Sequence, residues 1–132
     1  MKICSVIAWF VALLLSSAGF ASANLYVIAN KATLITVEEI KDVFLGEKQF
    51  SGLVKLVPVD NASAQEEFVV KVLKMGINKY NGFWMKKSFR EGINPPPGRS
   101  GDAEVMEFVR RTPGAIGYVR SAPKGVAVVN QY

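Results

Sequence analysis

The chain has 132 residues, a formal charge of +5, half of its residues hydrophobic, a single cysteine and no histidine. Without histidine it lacks the usual general base, the usual zinc ligand and any Ser-His-Asp triad. The modest positive balance suits an anionic ligand or surface, but the basic residues are dispersed. Lys86-Lys87 and Arg110-Arg111 are the only doublets, and each reads as a solvated helix face with no nucleic-acid patch.

Residues 1–23 read as a signal peptide. Lys2 supplies the positive start, Val6 to Leu15 run without a charge, and Ala21-Ser22-Ala23 offers small residues for cleavage before Asn24. The apolar run from Ile3 to Leu15 is shorter than the roughly 20 residues a bilayer span needs. No cysteine follows it, so a lipoprotein anchor is not expected, and the protein is expected to be periplasmic or secreted. Cys4 leaves with this segment, so no disulfide, thiolate metal site or cysteine nucleophile is expected in residues 24–132. Carboxylates, lysines and tyrosines remain, a set that argues for binding over catalysis, with no cofactor. The remaining length suits one compact domain and is too short for two.

Leu25 to Ile28 is a short apolar run with β-branched and aromatic members, and predicts a buried strand. Thr36 and Glu39 have capping-box spacing before Val37, Ile40 and Val43-Phe44, which predicts a helix at about 37–44 ended by Gly46. Leu53 to Val59 returns to strand character, with Pro58 suited to an edge or an end. Ser63 and Glu66 repeat the capping-box spacing, so the apolar stripe Phe68, Val69, Val72, Leu73 and Met75 predicts a helix over about 64–75, stopped by Gly76.

A third helix is expected from Asn78 to Phe89, carrying Tyr80, Phe83, Trp84 and Phe89 inward, slightly weakened by Gly82. Pro95-Pro96-Pro97-Gly98 can be neither helix nor central strand and predicts a rigid surface connection. A fourth helix follows, from Ser100 or Asp102 through Arg111, burying Val105, Met106, Phe108 and Val109. The run Pro113-Gly114-Ala115-Ile116-Gly117-Tyr118-Val119 reads as a sharp helix-to-strand turn whose glycines permit close approach. Strands near Gly117–Arg120 and Val126–Val129 close the chain. Strands alternating with helices predict an α/β layer structure.

Two segments could hold an oxyanion. The first is the strand-loop-helix unit from Val57 to Glu66, where a helix N-terminus offers free N–H groups and the positive end of its dipole. Asn61, Ser63, Ala64 and Gln65 are the candidate ligands there, although Ser63 also suits a plain N-cap, and Glu66 and Glu67 already serve the dipole. The second is Arg99-Ser100-Gly101 ahead of the fourth helix, where a guanidinium and a backbone amide could meet one anion. Asp102, Glu104 and Glu107 read as surface charge, with Glu107 spaced to meet Arg110 or Arg111. Tyr80 and Trp84 read as core.

Together the segments resemble the phosphate ABC transporter substrate-binding family, of the type II periplasmic binding protein-like fold. The likeness rests on Val37 through Gly46 with its Phe44-Leu45-Gly46 ending, Val57-Pro58-Val59-Asp60, Phe68, Phe83-Trp84 with Phe89, Gly101 through Val105, and Pro113 through Val119. It implies a single lobe with a central mixed sheet flanked by helices, where full-length members close two lobes around phosphate. It also implies inorganic phosphate or a related oxyanion as ligand and the membrane components of an ABC transporter as partners. In full members the loop before the helix supplies an arginine and then serine-glycine-threonine. Here the stretch is Asp60-Asn61-Ala62-Ser63-Ala64-Gln65, which keeps only the serine, and Asp60 pointing inward would repel a phosphate dianion. The alternative reading is an interaction module of the same fold that binds no ligand, and docks a protein partner or self-associates. The two readings part on one geometric point. Ser63, Asn61 and Arg99 around one cavity favour the oxyanion, and Asp60 filling it favours the module.

Overall fold

The computed structural model describes residues 24–132; the expected signal segment, its cleavage point and Cys4 lie outside them. Strand β1 (Tyr26–Ala29) leads to a 3-10 turn (Val37–Glu39) that runs directly into helix α1 (Ile40–Phe44). A hairpin of β2 (Phe50–Ser51) and β3 (Val54–Lys55) follows, then β4 (Val57–Pro58), β5 (Asp60–Asn61) and α2 (Gln65–Lys71). Helix α3 (Ile77–Glu91), β6 (Gly98–Arg99), α4 (Asp102–Arg111), β7 (Ala115–Val119) and β8 (Ala127–Gln131) complete the order.

The main sheet runs β4-β7-β1-β8; β4 and β7 are parallel, the other pairs antiparallel. Strand β7 is buried along its whole length, and its residues alternate between two cores. Ile116 and Tyr118 join Val27, Phe44, Phe68, Leu73, Tyr80 and Trp84 beneath α1, α2 and α3. Ala115 and Val119 join Ile28, Val59, Val105 and Val109 beneath α4. A strand covered on both faces explains why Ala115 to Val119 carries no charged residue. The expected mixed α/β architecture, a central sheet flanked by helices, is what the chain adopts.

Close packing accounts for the second glycine of the Pro113–Val119 run. Only Gly114 turns the chain, at φ +85°, while Gly117 lies within β7. A Cβ on Gly117 would sit 2.7 Å from Val105 Cγ1 and 3.1 Å from Val59 Cγ2, so its absence sets how near α4 lies to the sheet. The turn is fastened from the segment that follows β1. Asn30 Nδ2 donates to the Val109 and Arg110 carbonyls at 2.9 and 3.0 Å, satisfying the end of α4, and Gly114 N–H donates to Thr33 Oγ1 at 2.8 Å.

Several elements differ from the sequence expectation. Leu53 to Val59 is not one strand: Leu53 is fully exposed at the hairpin turn, and β3 (Val54–Lys55) and β4 (Val57–Pro58) are separate strands with Leu56 between them and Val59 after them. Pro58 does occupy the sheet edge: the Val57 N–H donates to the Gly114 carbonyl just before β7, the Val59 N–H to the Ile116 carbonyl within it, and the position between them faces away. Helix α2 stops short of Met75, because Lys74 adopts φ +57° and Gly76 instead begins α3 with extended backbone. Phe89 is exposed, since α3 continues to Glu91 and turns that residue away from the sheet. Lys87 is buried, not solvated; its ammonium pairs with Glu47 at 2.8 Å and Glu91 at 3.3 Å. The Thr36–Glu39 bond is present, with Thr36 N–H donating to Glu39 Oε1 at 3.1 Å, and Gly46 follows α1 with φ +72°.

Gly117, packed under α4, and Gly82, half-buried on α3, should respond oppositely to alanine. Gly117→Ala should lower the unfolding free energy by about 1–3 kcal/mol, the usual cost of overpacking. Gly82→Ala, on α3 with open space around it, should raise it by up to about 1 kcal/mol through helix propensity. Urea denaturation of both variants checks this, and equal effects would remove the close-packing account of Gly117.

Candidate functional site

Asp60 leaves the apolar Val57-Pro58-Val59 run and enters β5, which pairs in parallel with β6. Its carboxylate points inward and is 4 % exposed. Oδ1 accepts from the Tyr118 hydroxyl at 2.8 Å; Oδ2 accepts from the Tyr80 hydroxyl at 2.9 Å and from Gln65 Nε2 at 3.2 Å. Burial pushes the Asp60 carboxyl up, against the pull of these three donors. Burial, reinforced by the nearby carboxylate, pushes both phenols far above their usual range, so Tyr80 and Tyr118 remain donors. No lysine or arginine pairs with Asp60 among the described ion pairs.

Asn61 is fully buried and spends its amide internally. Its Nδ2 donates to Asp102 Oδ1 at 2.7 Å and to the Tyr118 carbonyl at 3.0 Å. Its Oδ1 accepts from the Ser63 N–H at 3.1 Å and the Ser63 hydroxyl at 2.6 Å, an Asx turn that shapes the loop. Ser63 therefore does not cap α2; Ala64 holds that position, and its own N–H bonds back to the Asn61 carbonyl. Gln65 opens α2 and donates its side-chain amide to Asp60. Helix α2 spans seven residues and presents a short dipole, with Glu66 and Glu67 in its first turn.

Arg99 and Ser100 lie beyond the Pro95–Pro97 connection, at the mouth of α4. The Arg99 guanidinium sits 4.7 Å over the Phe108 ring, and its buried Nε has no hydrogen-bond partner among the described residues. Ser100 N–H donates to Glu104 Oε2 at 3.2 Å. Asp102, expected as surface charge, instead ties β5 to the end of β7. It accepts from Asn61, and its Oδ2 takes the Arg120 N–H at 3.1 Å and the Ser121 N–H at 2.8 Å. Burial opposes its ionisation, but the bonds from Ser121, Asn61 and Arg120 outweigh that and hold its carboxyl below the usual carboxylate range. Glu107 pairs with Arg110 as its spacing implied.

Of the candidate residues, only Gln65 borders a described cavity. That cavity, of about 260 Å³, is bounded by Asp60, Gln65, Tyr80, Asn81, Trp84, Met85, Ser88 and the Pro95-Pro96 pair. A larger groove of about 500 Å³ runs past Lys48, Lys55, Leu56, Trp84 and Ile93. Asn61, Ser63, Ala64, Arg99 and Ser100 line neither. The sequence reading missed Tyr80 and Tyr118 as partners of Asp60, because both look like ordinary core aromatics until the fold brings them together.

The raised carboxyl of Asp60 sets a pH dependence. A group whose pKa is raised by folding stabilises most below its unfolded value, near 3.8, and that contribution is lost as pH rises through the folded value. Asp60→Asn removes this titration. The unfolding free energy of the variant relative to the parent should therefore climb between about pH 4 and neutrality. Urea melts at a series of pH values test it, and a flat or falling difference would contradict the burial account.

No protein-family model matches the sequence, and no curated protein matches it. Among solved structures, the chain is similar to an ABC-type phosphate transport receptor from Vibrio cholerae, with 12% identity, a TM-score of 0.52, and coverage of 82% of this chain and 46% of the receptor. It is similar to PstS from Borrelia burgdorferi at 20% identity and TM-score 0.52, covering 74% and 41%. A putative phosphate ABC transporter substrate-binding protein with bound phosphate from Clostridium perfringens gives 17% identity and TM-score 0.51, covering 82% and 45%. The chain thus spans under half the length of each of these proteins. At these identities the likeness is one of fold: the chain is a partial structural relative of the phosphate ABC transporter substrate-binding proteins, built as one lobe of a periplasmic binding protein-like fold.

Proposed function

We propose that the protein is an exported, single-lobe binding-protein module that works by contact with another protein chain and does not hold a free phosphate ion. The buried Asp60 carboxylate carries this reading. It lies in the strand-to-helix loop that the sequence resemblance matches to the donor loop of phosphate receptors, and Tyr80, Tyr118 and Gln65 are already committed to it. A dianion brought to the same loop would meet a carboxylate, while Asn61 and Ser63 are bonded to each other. Exposed apolar side chains lend support. Leu34, Val37, Phe50 and Leu53 lie on neighbouring segments, the first joined to the hairpin by the Ser51 hydroxyl on the Leu34 carbonyl at 2.6 Å.

One observation favours the oxyanion reading instead, the unpartnered Nε of Arg99 beside the start of α4. An oxyanion there would take the guanidinium and the Ser100 hydroxyl, and would bind weakly because neither residue lines a described cavity. The similar structures' phosphate and transporter partners come to this chain only along that route.

Titration calorimetry of the purified protein with phosphate at low ionic strength separates the two. The expected result is no saturable heat up to millimolar phosphate, for the parent, Ser63→Ala and Arg99→Ala alike. Saturable heat abolished by Ser63→Ala or Arg99→Ala would establish an oxyanion lobe and overturn the docking reading.

A further inference from the structure

We infer that the cavity beside Asp60 anchors the side-chain ammonium of a lysine presented by another protein chain. This rests on the docking reading above and names the chemistry of the partner. Asp60 brings a negative charge into the cavity wall with no cation to answer it. Its residue is 4 % exposed, and no lysine or arginine is among the described residues that bound the cavity. Tyr118, Tyr80 and Gln65 are neutral donors, so they bond the carboxylate without neutralising it. An ionised carboxylate has about four acceptor sites, and these three donors leave room for one more.

The two carboxylate oxygens are placed differently. Oδ1 turns to Tyr118, which is fully buried and borders neither described cavity. Oδ2 bonds to Tyr80 and Gln65, and both of these border the cavity. One oxygen is thus offered, which suits the point charge of an ammonium and not the two-pronged guanidinium of arginine. Trp84, Met85 and the rigid Pro95-Pro96 pair give apolar wall for an aliphatic stem, and Asn81 and Ser88 add polar groups. The volume of about 260 Å³ is below the roughly 300–1,000 Å³ of a pocket for a drug-sized ligand, and suits a single side chain.

The surface beside the cavity points to a protein as the carrier of the ammonium. Met85 belongs to the cavity wall and is 74 % exposed. Phe89 follows it by one turn of α3 and is 96 % exposed. A free amine would leave both side chains in water. Apolar residues flanking a partner's lysine would cover them, and the excluded water would strengthen the charge pair at the centre.

Nuclear magnetic resonance titration with an acetylated leucine-lysine-leucine amide tests the site, read at the Gln65 side-chain amide and the Asn81 and Ser88 backbone amides. Saturable shifts are expected at these groups. The same peptide with norleucine in place of lysine should leave them unmoved. The n-butylammonium ion, which has no flanking residues, should bind at least roughly threefold more weakly than the lysine peptide. Asp60→Asn should weaken the lysine peptide by at least roughly tenfold. If that variant does not fold, Asn81→Lys decides, at an exposed position of α3. Its own ammonium should occupy the cavity and weaken the peptide comparably, while Asn81→Gln should not. No saturable shift, equal binding of the norleucine peptide, or affinity that Asp60→Asn or Asn81→Lys leaves unchanged overturns the inference. Binding of n-butylammonium as tight as that of the peptide overturns a partner's lysine as the source. A protein that binds neither peptide nor phosphate loses only this site; one that binds phosphate and not the peptide loses the docking reading as well.

Discussion

The buried carboxylate of Asp60 is the constraint around which this lobe is organised. It is reached from three directions, by Tyr118 on the central strand, Tyr80 on α3 and Gln65 at the start of α2. An unpaired carboxylate in such a place is costly, and three neutral donors offset that only in part. The elements that carry them must therefore stay in register. The rings extend the same tie. Phe68 stacks on Tyr118 with centroids 3.8 Å apart, and Phe44 meets Phe68 edge-on at 4.7 Å, so α1 and α2 are fixed against the strand that holds the carboxylate's partner.

A second polar tie lies one residue further on. Asn61 joins Asp102, the Tyr118 carbonyl and Ser63, and Asp102 in turn holds the backbone of Arg120 and Ser121. Asp60 thus secures the helices on one face of the sheet, and Asn61 secures the start of α4 on the other. The polar groups of this strand-to-helix loop are therefore structural, and its hydrogen-bonding capacity is directed inward.

The same economy explains the surface. Several large apolar side chains remain exposed, Leu34, Phe50, Leu53, Met85 and Phe89 among them. Among the described residues no helix is long and apolar enough to cross a membrane, so these side chains belong to elements too short to span one. Contact with another folded chain is a natural way to bury them.

Much of the fold was legible in the sequence. The alternation of strand and helix, the Thr36–Glu39 spacing, the Pro58 edge and the apolar faces of α2, α3 and α4 follow from local periodicity and turn chemistry, which depend on neighbours in the chain. The sequence also signalled that Asp60 is out of place for an anion site. The partners of Asp60 were not legible, because Tyr80 and Tyr118 lie 20 and 58 residues away and carry no mark that separates them from other core aromatics. Nor was the role of Ser63, whose capping-box spacing was answered by an Asx turn from Asn61 once β5 had fixed that side chain in the interior. The burial of Lys87 depended likewise on Glu47 arriving from another element. Sequence by itself determined the helices and most of their apolar faces, since those are set by local spacing, while the short strands from Phe50 to Asn61 and the exposure of Phe89 were not among its readings. Only the tertiary structure decided which polar groups are consumed and which remain free, because hydrogen-bond partners far apart in the chain meet only when the sheet and helices close around them.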